Sequence, residues 1–284
     1  MPLVLSAIFV FAISINSIRF ALHPREVESL RCEITVRCVG AGVCGFDDGV
    51  KSRDMKKSFV FFVLALAAKA CAAQTVYTVI VDSHRWLVVE PDHLPQNAPL
   101  VLLLHGAHGS ATDLITLWSE LHLPPSRVVC PDGFFFLDGK GFGWYRKEHQ
   151  NDILQSRDYL LKLVQKLGPK RPVIFAGFSQ GGVMSIVTGL HCPNKVLAIV
   201  CVSGYVPNPA ENLRDLKAPR SVPILMVHGQ MDEVIPIADA RWGETNLNAQ
   251  GYHPVFKTLS MGHGVSQESL NSVRDFLVQV LPKN

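Results

Sequence analysis

The sequence lacks the motifs that hold metals and that build disulfide scaffolds. Over its 284 residues no two cysteines have the C-x-x-C spacing, and no two histidines have the His-x-x-x-His spacing, that are common in zinc sites. Of the seven cysteines only three, Cys130, Cys192 and Cys201, fall after residue 74. An odd number of widely spaced cysteines argues against a disulfide framework. We therefore predict no metal site and no disulfide framework, and we expect Cys130 and Cys201, which lie in apolar strand-like runs, to be part of the core.

The sequence also has no excess of one charge in its main part. Residues 74–284 contain 18 Lys and Arg against 18 Asp and Glu, so the net charge of +3 comes from the residues before them. A protein that binds nucleic acid or an anionic membrane surface usually carries a basic excess. The sequence therefore predicts neither kind of partner. It also contains no internal repeat and no low-complexity tract.

An apolar run inside the N-terminal quarter has the pattern of a secretory signal peptide. Met55 and two lysines precede the run at 59–68, and small residues around Ala72 and Ala73 form a cleavage site. The run is too short to span a bilayer comfortably. We predict a signal peptide over residues 55–73, which directs export to the periplasm or the medium and leaves no membrane attachment once it is cleaved.

The residues before Met55 are unexpected in front of a signal peptide. We interpret Met55 as the initiator and residues 1–54 as an upstream over-extension of the reading frame or a disordered leader. A second apolar stretch at 3–11 leaves open a membrane anchor followed by a linker. In either case residues 74–284 have a suitable length for one domain with a substantial core.

Strand-like and helix-like segments alternate along residues 74–284, after a first hairpin. Runs that are wholly or, at 127–130, mostly apolar lie at 100–104, 127–130, 173–176, 196–202 and 222–227, and such runs are typical of strands covered on both faces. Amphipathic segments lie between and after them, for example at 151–167, 237–249 and 267–281. This alternation predicts an α/β fold with a mostly parallel central sheet flanked by helices. Ligands of such sheets bind at the carboxyl ends of the strands.

Two connections between these segments carry further expectations. After the run at 100–104, Ser110 or Thr112 is expected to cap a helix that carries Leu114 and Trp118 on its apolar face. Residues 134–150 are rich in glycine and aromatic side chains and are expected to be irregular.

The stretch G-F-S-Q-G-G at 177–182 directly follows one of the apolar strands. A G-x-S-x-G turn holds its serine on a tight bend between strand and helix, where bulk at Gly177 or Gly181 would clash. The N–H groups at the start of the following helix stabilise negative charge that develops near the serine. Ser179 is thus predicted to be a nucleophile. On these residues alone, a buried serine in a glycine-rich turn remains the alternative.

A nucleophilic serine needs a base, and the base needs an orienting carboxylate from another strand end. Asp232 follows the penultimate strand-like run, and His263 follows the last one, which ends at Leu259. The order Ser, Asp, His is that of α/β-hydrolases. Asp232 and His263 are therefore predicted to complete a triad, with Glu233 as the less favoured carboxylate.

The tetrahedral intermediate formed on such a serine needs two hydrogen-bond donors for its oxyanion. One is expected to be the backbone N–H of Gln180, the residue after the serine. The other is expected in the loop after 100–104, at Ala107 or alternatively Gly106. His108, in the same loop, is expected to contact the substrate at the edge of the site rather than to act as a base.

Four stretches together resemble a known family. They are G-F-S-Q-G-G at 177–182, L-H-G at 104–106, H-G-Q-M-D-E-V-I-P at 228–236 and G-H at 262–263. They are similar to the carboxylesterase/phospholipase family that includes the acyl-protein thioesterases. The resemblance covers residues 100–284 and implies an α/β-hydrolase fold without a large cap domain. It also implies an enzyme without a cofactor that cleaves carboxylic esters or thioesters.

The same resemblance assigns roles to individual residues. It implies Ser179, Asp232 and His263 as the triad, and Ala107 and Gln180 as the oxyanion donors. Trp144 resembles a family tryptophan that would help to wall the acyl site. The chain departs from the family at Ala107, His108 and Gly109, where Leu-Gly-Asp is common, and family members are commonly cytosolic.

We therefore expect an exported serine hydrolase that acts on a small-molecule ester or thioester as a monomer or weak dimer. Two alternatives remain. One is a catalytically idle α/β-hydrolase fold used as a binding module, and the other is a peptidase or polyester hydrolase with the same triad.

Overall fold

The computed structural model describes residues 18–20, 31–34, 74–81, 84–146, 149 and 151–281. The predicted signal peptide at 55–73 lies outside the described residues, as does most of the segment before it. No helix within the described ranges is long and apolar enough to cross a membrane.

The chain folds around a large twisted sheet. Its strands in chain order are β1 (Ile18–Phe20), β2 (Arg31–Ile34), β3 (Gln74–Val81), β4 (His84–Pro91), β5 (Leu100–Leu104), β6 (Arg127–Pro131), β9 (Val173–Phe178), β10 (Val196–Val202), β11 (Ile224–Gly229) and β12 (Val255–Leu259). They lie in the order β1-β2-β3-β4-β6-β5-β9-β10-β11-β12. From β6 to β12 neighbouring strands are parallel, whereas β1 to β4 pair antiparallel and β4 pairs antiparallel with β6.

Two more short strands, β7 (Phe135–Leu137) and β8 (Gly141–Gly143), form a separate antiparallel hairpin. The helices within the described ranges are α1 (Ile115–Ser119), α2 (Asn151–Leu167), α3 (Gln180–His191), α4 (Pro209–Asn212), α5 (Ile237–Ala249) and α6 (Gln267–Val280).

The central parallel strands are buried on both faces, as their apolar composition predicts. Successive side chains of a strand point to opposite faces. In β9, Val173 and Phe175 join the core layer that α2 and α3 cover, whereas Ile174 and Ala176 join the layer covered by α1 and α6. Because β5, β9, β10, β11 and β12 pair in parallel, the loops at the carboxyl ends of β5, β9, β11 and β12 lie at one edge of the sheet.

Two local expectations from the sequence are wrong. The helix after β5 does not begin at Ser110 or Thr112, because Ser110 hydrogen-bonds through its N–H and hydroxyl to the Asp113 carboxylate and closes a local turn. Helix α1 begins only at Ile115, with Leu114 at its N-cap. The segment 134–150 is also more regular than predicted, because residues 135–143 form the β7–β8 hairpin.

Candidate active site

Ser179 lies at the junction of β9 and α3, in a backbone conformation that few side chains adopt. Its φ of 54° and ψ of −120° are outside the regions that non-glycine residues prefer. The backbone N–H of Ser179 holds the turn, because it donates a 2.9 Å hydrogen bond to the carbonyl of Val202 at the end of β10. This backbone bond fixes the serine at the carboxyl edge of the sheet.

The glycines on either side of the serine allow the backbone to pack without a side chain. A Cβ atom at Gly177 would meet the carbonyl group of Gly181, and one at Gly181 would meet the carbonyl of Leu104. Both clashes are with main-chain atoms of central elements, which cannot move aside. The structure therefore gives the physical reason for the G-x-S-x-G spacing.

Ser179, His263 and Asp232 form one continuous chain of hydrogen bonds. His263 Nε2 lies 2.9 Å from Ser179 Oγ, and His263 Nδ1 lies 2.8 Å from Asp232 Oδ2. A carboxylate only accepts hydrogen bonds, so Nδ1 carries the proton and Nε2 is free to accept from the serine. The structure thus brings together the three side chains that the sequence singles out as a triad, although they lie on three separate loops.

The Asp232 carboxylate is buried but well supplied with donors. Its Oδ1 accepts the backbone N–H groups of Val234 at 2.9 Å and Ile235 at 2.8 Å. Burial opposes ionisation, but these two amides and His263 outweigh it and hold the pKa of Asp232 below its ordinary value. Glu233, the less favoured carboxylate, is exposed. Asp232 is therefore the ionised partner of the histidine.

Two backbone N–H groups beside Ser179 are free to bind an oxyanion. Among the described residues, the amides of Ala107 and Gln180 have no hydrogen-bond acceptor. The loop that carries Ala107 lies against the serine, because a Cβ at Gly106 would be 3.4 Å from Ser179 Cβ. Gln180 is the first residue of α3, where free N–H groups and the helix dipole favour negative charge.

The side chain of Gln180 has a role that the sequence did not indicate. Its Oε1 accepts a 3.0 Å hydrogen bond from the backbone N–H of Trp144, and its Nε2 donates a 2.9 Å hydrogen bond to the Tyr145 carbonyl. The amide thereby ties the loop after β8 to the nucleophile turn. No pattern along the chain predicts this contact, because 36 residues separate Gln180 from Trp144.

Trp144 does not lie where the sequence resemblance suggests. Its side chain is fully buried, so it cannot form the exposed wall of an acyl pocket. The indole Nε1 donates a 2.8 Å hydrogen bond to the His105 carbonyl, and the Trp144 carbonyl accepts from Ser156 Oγ. We correct the expectation: Trp144 packs beneath the site and joins the β5 loop to α2.

Two histidines follow β5, and they differ in environment. His105 is buried, with Nδ1 donating to the Gly106 carbonyl and Nε2 accepting from the Gly133 amide. Burial lowers its pKa, so it remains neutral and shapes the loop. His108 is exposed and has a φ of 59°, and its backbone packs against Gly141 of β8. Its expected contact with substrate stays a prediction.

Exposed apolar side chains lie on the segments that surround the triad. Met231 and Val234, which flank the Asp232 position, are 58% and 67% exposed. Phe136 on the β7–β8 hairpin is 63% exposed, and this hairpin is bridged to Gly109 through Phe142. Exposed apolar groups beside a cleft commonly mark a binding surface. No cluster of potential metal ligands occurs in the described part of the chain.

The fold and this arrangement define an α/β-hydrolase. A family model for phospholipases and carboxylesterases matches residues 85–281, and the chain belongs to that family. It is 33% identical to acyl-protein thioesterase 1 of Neurospora crassa over 52% of this chain and 64% of the relative. It is 32% identical to acyl-protein thioesterase 1 of Gibberella zeae over 48% of this chain and 62% of the relative. The chain thus spans less than two thirds of the length of these relatives.

Solved structures give the same fold. The crystal structure of esterase PE8 superimposes with a TM-score of 0.58 and 26% sequence identity. That match covers 68% of this chain and 98% of the esterase chain. The predicted fold class and family are therefore confirmed.

Proposed function

We propose that this protein is a serine hydrolase that cleaves carboxylic esters or thioesters through an acyl-enzyme intermediate. The observation that carries the proposal is the hydrogen-bonded chain from Ser179 through His263 to Asp232. Its relatives named acyl-protein thioesterase and its structural neighbour named esterase agree with this reaction class.

In the first half of the reaction, Ser179 Oγ attacks the carbonyl carbon while its proton passes to His263 Nε2. The carbonyl oxygen becomes an oxyanion, which the N–H groups of Ala107 and Gln180 stabilise. The bond from carbon to the alcohol oxygen or thiol sulfur then breaks. The leaving group takes the proton from His263, and the acyl group remains on the serine.

In the second half, a water molecule attacks the acyl-enzyme and gives its proton to His263 Nε2. The bond between Ser179 Oγ and the acyl carbon breaks, the serine recovers the proton, and the free acid leaves. Asp232 holds the Nδ1–H tautomer of His263 and stabilises the imidazolium formed twice in the cycle. Neither half needs a metal or an organic cofactor.

The surroundings of the serine favour a substrate with an apolar acyl group. Phe136, Met231 and Val234 offer exposed apolar surface on segments next to the triad and the oxyanion loop. Apolar side chains beside a hydrolytic centre bind an acyl chain and exclude water.

The decisive test compares the wild type with Ser179→Ala on p-nitrophenyl esters of graded acyl length and on an acyl thioester. We expect the variant to lose about a million-fold in turnover, as is typical for loss of a serine nucleophile. Ser119→Ala, at an exposed helical serine, is the matched control and should keep wild-type rates. Wild-type turnover in Ser179→Ala would remove the serine mechanism.

A fluorophosphonate probe separates the hydrolase from its alternatives. An active hydrolase should be labelled at Ser179, whereas an idle fold used as a binding module should not react. A protein that is labelled but prefers a peptide anilide or a polyester over simple esters would instead be a peptidase or polyester hydrolase.

We also propose that the protein is exported, on the strength of the signal-peptide pattern at 55–73. The experiment is N-terminal sequencing of the protein recovered from the medium or periplasm. A first residue at Ala73 or Gln74 is expected, and a first residue before Met55 would contradict the assignment of residues 1–54 as over-extension. Gel filtration of the same material tests the expected monomer or weak dimer.

A further inference from the structure

His228 is a buried histidine that touches the acid of the proposed triad but has no place in the proposed mechanism. It lies near the end of β11, and its side chain is 1% exposed. Its Nε2 lies 2.9 Å from the Ile235 carbonyl oxygen and 3.4 Å from Asp232 Oδ2. Its Nδ1 is buried and has no hydrogen-bond partner among the described residues.

These contacts fix the protonation state of the ring. A carbonyl oxygen only accepts, so the contact with Ile235 requires a hydrogen on Nε2. A second hydrogen on Nδ1 would be a buried N–H without an acceptor, which costs free energy. The ring therefore carries its proton on Nε2, where it is directed at the Ile235 carbonyl, and Asp232 Oδ2 lies 3.4 Å from the same nitrogen.

Ile235 and His228 both contribute to the orientation of the Asp232 carboxylate. Ile235 is held at both its polar ends, because its N–H donates to Asp232 Oδ1 and its carbonyl accepts from His228. Asp232 Oδ2 lies 2.8 Å from His263 Nδ1 and 3.4 Å from His228 Nε2. A rotation of the Asp232 carboxylate would break its hydrogen bonds with the backbone N–H groups of Val234 and Ile235 and with His263.

We propose that His228 is a positioning residue, which uses its Nε2–H to hold the Asp232–Ile235 turn and keep the carboxylate directed at His263. It touches neither the substrate nor the reacting atoms, so it acts only through Asp232. This proposal rests on the proposed serine-hydrolase function. Its direct target is the carbonyl oxygen of Ile235.

The test compares His228→Met, which fills similar space without a donor, with His228→Gln, which can place an N–H near the position of Nε2. Misplacement of a catalytic group by about 1 Å can cost a hundredfold in rate. We expect His228→Met to lower kcat by about 10- to 100-fold with KM within about twofold, and His228→Gln to stay within about threefold of the wild type. Full activity in His228→Met would overturn the proposal.

A double-variant cycle separates positioning from a general effect on folding. If His228 acts through Asp232, adding His228→Met to Asp232→Ala should change the residual kcat by less than about twofold. An equal loss in the single and double backgrounds would show that His228 acts independently of Asp232 and would overturn the proposal. So would a parallel fall of kcat and thermal stability in both His228→Met and His228→Gln.

A measurement on the wild type removes the dependence on variants that fold poorly. Nitrogen-15 NMR of histidine-labelled protein at neutral pH should show His228 with a protonated Nε2 and a bare Nδ1, assigned by the signal lost in His228→Gln. A proton on Nδ1 would overturn the proposal whatever the kinetics. Ester turnover that depends on Ser179 is checked separately, so failure of the hydrolase function is distinguishable from failure of the His228 assignment.

Discussion

Gln180 and Trp144 are joined through a side chain on one segment and a backbone amide on the other. Gln180 Oε1 accepts a hydrogen bond from the backbone N–H of Trp144 at 3.0 Å, and Gln180 Nε2 donates one to the carbonyl of Tyr145. The residue whose backbone N–H is proposed to bind the oxyanion therefore also fixes the loop beside it. A small displacement of this loop should therefore shift Gln180 and the adjacent Ser179.

The first prediction concerns this amide. Gln180→Ala keeps the backbone N–H but leaves the Trp144 N–H and the Tyr145 carbonyl without partners. We expect the free energy of unfolding to fall by about 1–3 kcal/mol, measured by urea denaturation, together with slower ester turnover. Gln165→Ala, at an exposed glutamine of α2, is the control. Equal stability of the two variants would contradict the tether.

The second prediction distinguishes the two neighbouring carboxylates. Asp232→Asn cannot hold the Nδ1–H tautomer of His263, so turnover should fall by about 10⁴-fold, measured as kcat on a p-nitrophenyl ester. Glu233→Gln should leave the rate unchanged, because Glu233 is exposed. The reverse pattern would assign the acid to Glu233.

The third prediction follows from the burial of Trp144. Trp144→Phe removes the indole donor and leaves the His105 carbonyl unpaired, so the free energy of unfolding should fall by about 1–3 kcal/mol. The preference among esters of different acyl length should not change. Trp242→Phe, at an exposed tryptophan of α5, should alter neither quantity. A changed length preference at unchanged stability would return Trp144 to the substrate pocket.

The fourth prediction uses the glycines of the site. Gly181→Ala would press a Cβ against the Leu104 carbonyl, so we expect loss of activity and a destabilisation above about 3 kcal/mol. Gly264→Ala has no atom within 4 Å of the added Cβ and should cost less than about 1 kcal/mol, although it adjoins His263. Thermal melting and turnover of the two variants test this difference.

The fifth prediction concerns pH and the buried carboxylate of Asp152. Arg146 donates two side-chain hydrogen bonds to it and holds its pKa below the ordinary value. Because the folded pKa is below the unfolded one, this stabilisation is fully present above about pH 4 and is lost as the pH falls through the folded pKa. Asp152→Asn should therefore cost most at neutral pH.

Urea denaturation at pH 7 and at pH 3 measures this change. Asp158→Asn is the control, because Asp158 is largely exposed and forms its ion pair with the adjacent Arg157. A cost of Asp152→Asn that is the same at both pH values would show that the ion pair does not contribute through ionisation.

Much of the fold follows from short-range patterns along the chain. The apolar run Val196–Val202 and the helix Ile237–Ala249 agree with the structure to the residue, because composition and periodicity alone determine them. Ser179, Asp232 and His263 could be selected because each follows a strand end and parallel strands end at one edge. The β7–β8 hairpin could not be predicted, because its glycines and consecutive aromatic residues do not show the apolar-polar alternation typical of a strand.

The features that the sequence did not indicate depend on contacts between distant segments. Trp144 is held by partners far from it in sequence, because its indole donates to the His105 carbonyl in the loop after β5 and its own carbonyl accepts from Ser156 of α2. The Gln180 tether likewise joins residues that are 35 positions apart. The contact between His228 and Ile235 spans only seven positions, but it depends on a loop path that no periodicity of the sequence specifies. Such relationships require the three-dimensional structure.

The hydrogen bond between Ser179 and His263 joins residues 84 positions apart, and this has a consequence for biosynthesis. The chain is synthesised from its N-terminus, and a single domain folds as a unit. A nascent chain that ends before β12 already contains the serine turn and both proposed oxyanion donors but has no base. The three side chains of the proposed triad can therefore come together only after the last strand and the following loop, which carries His263, have been synthesised.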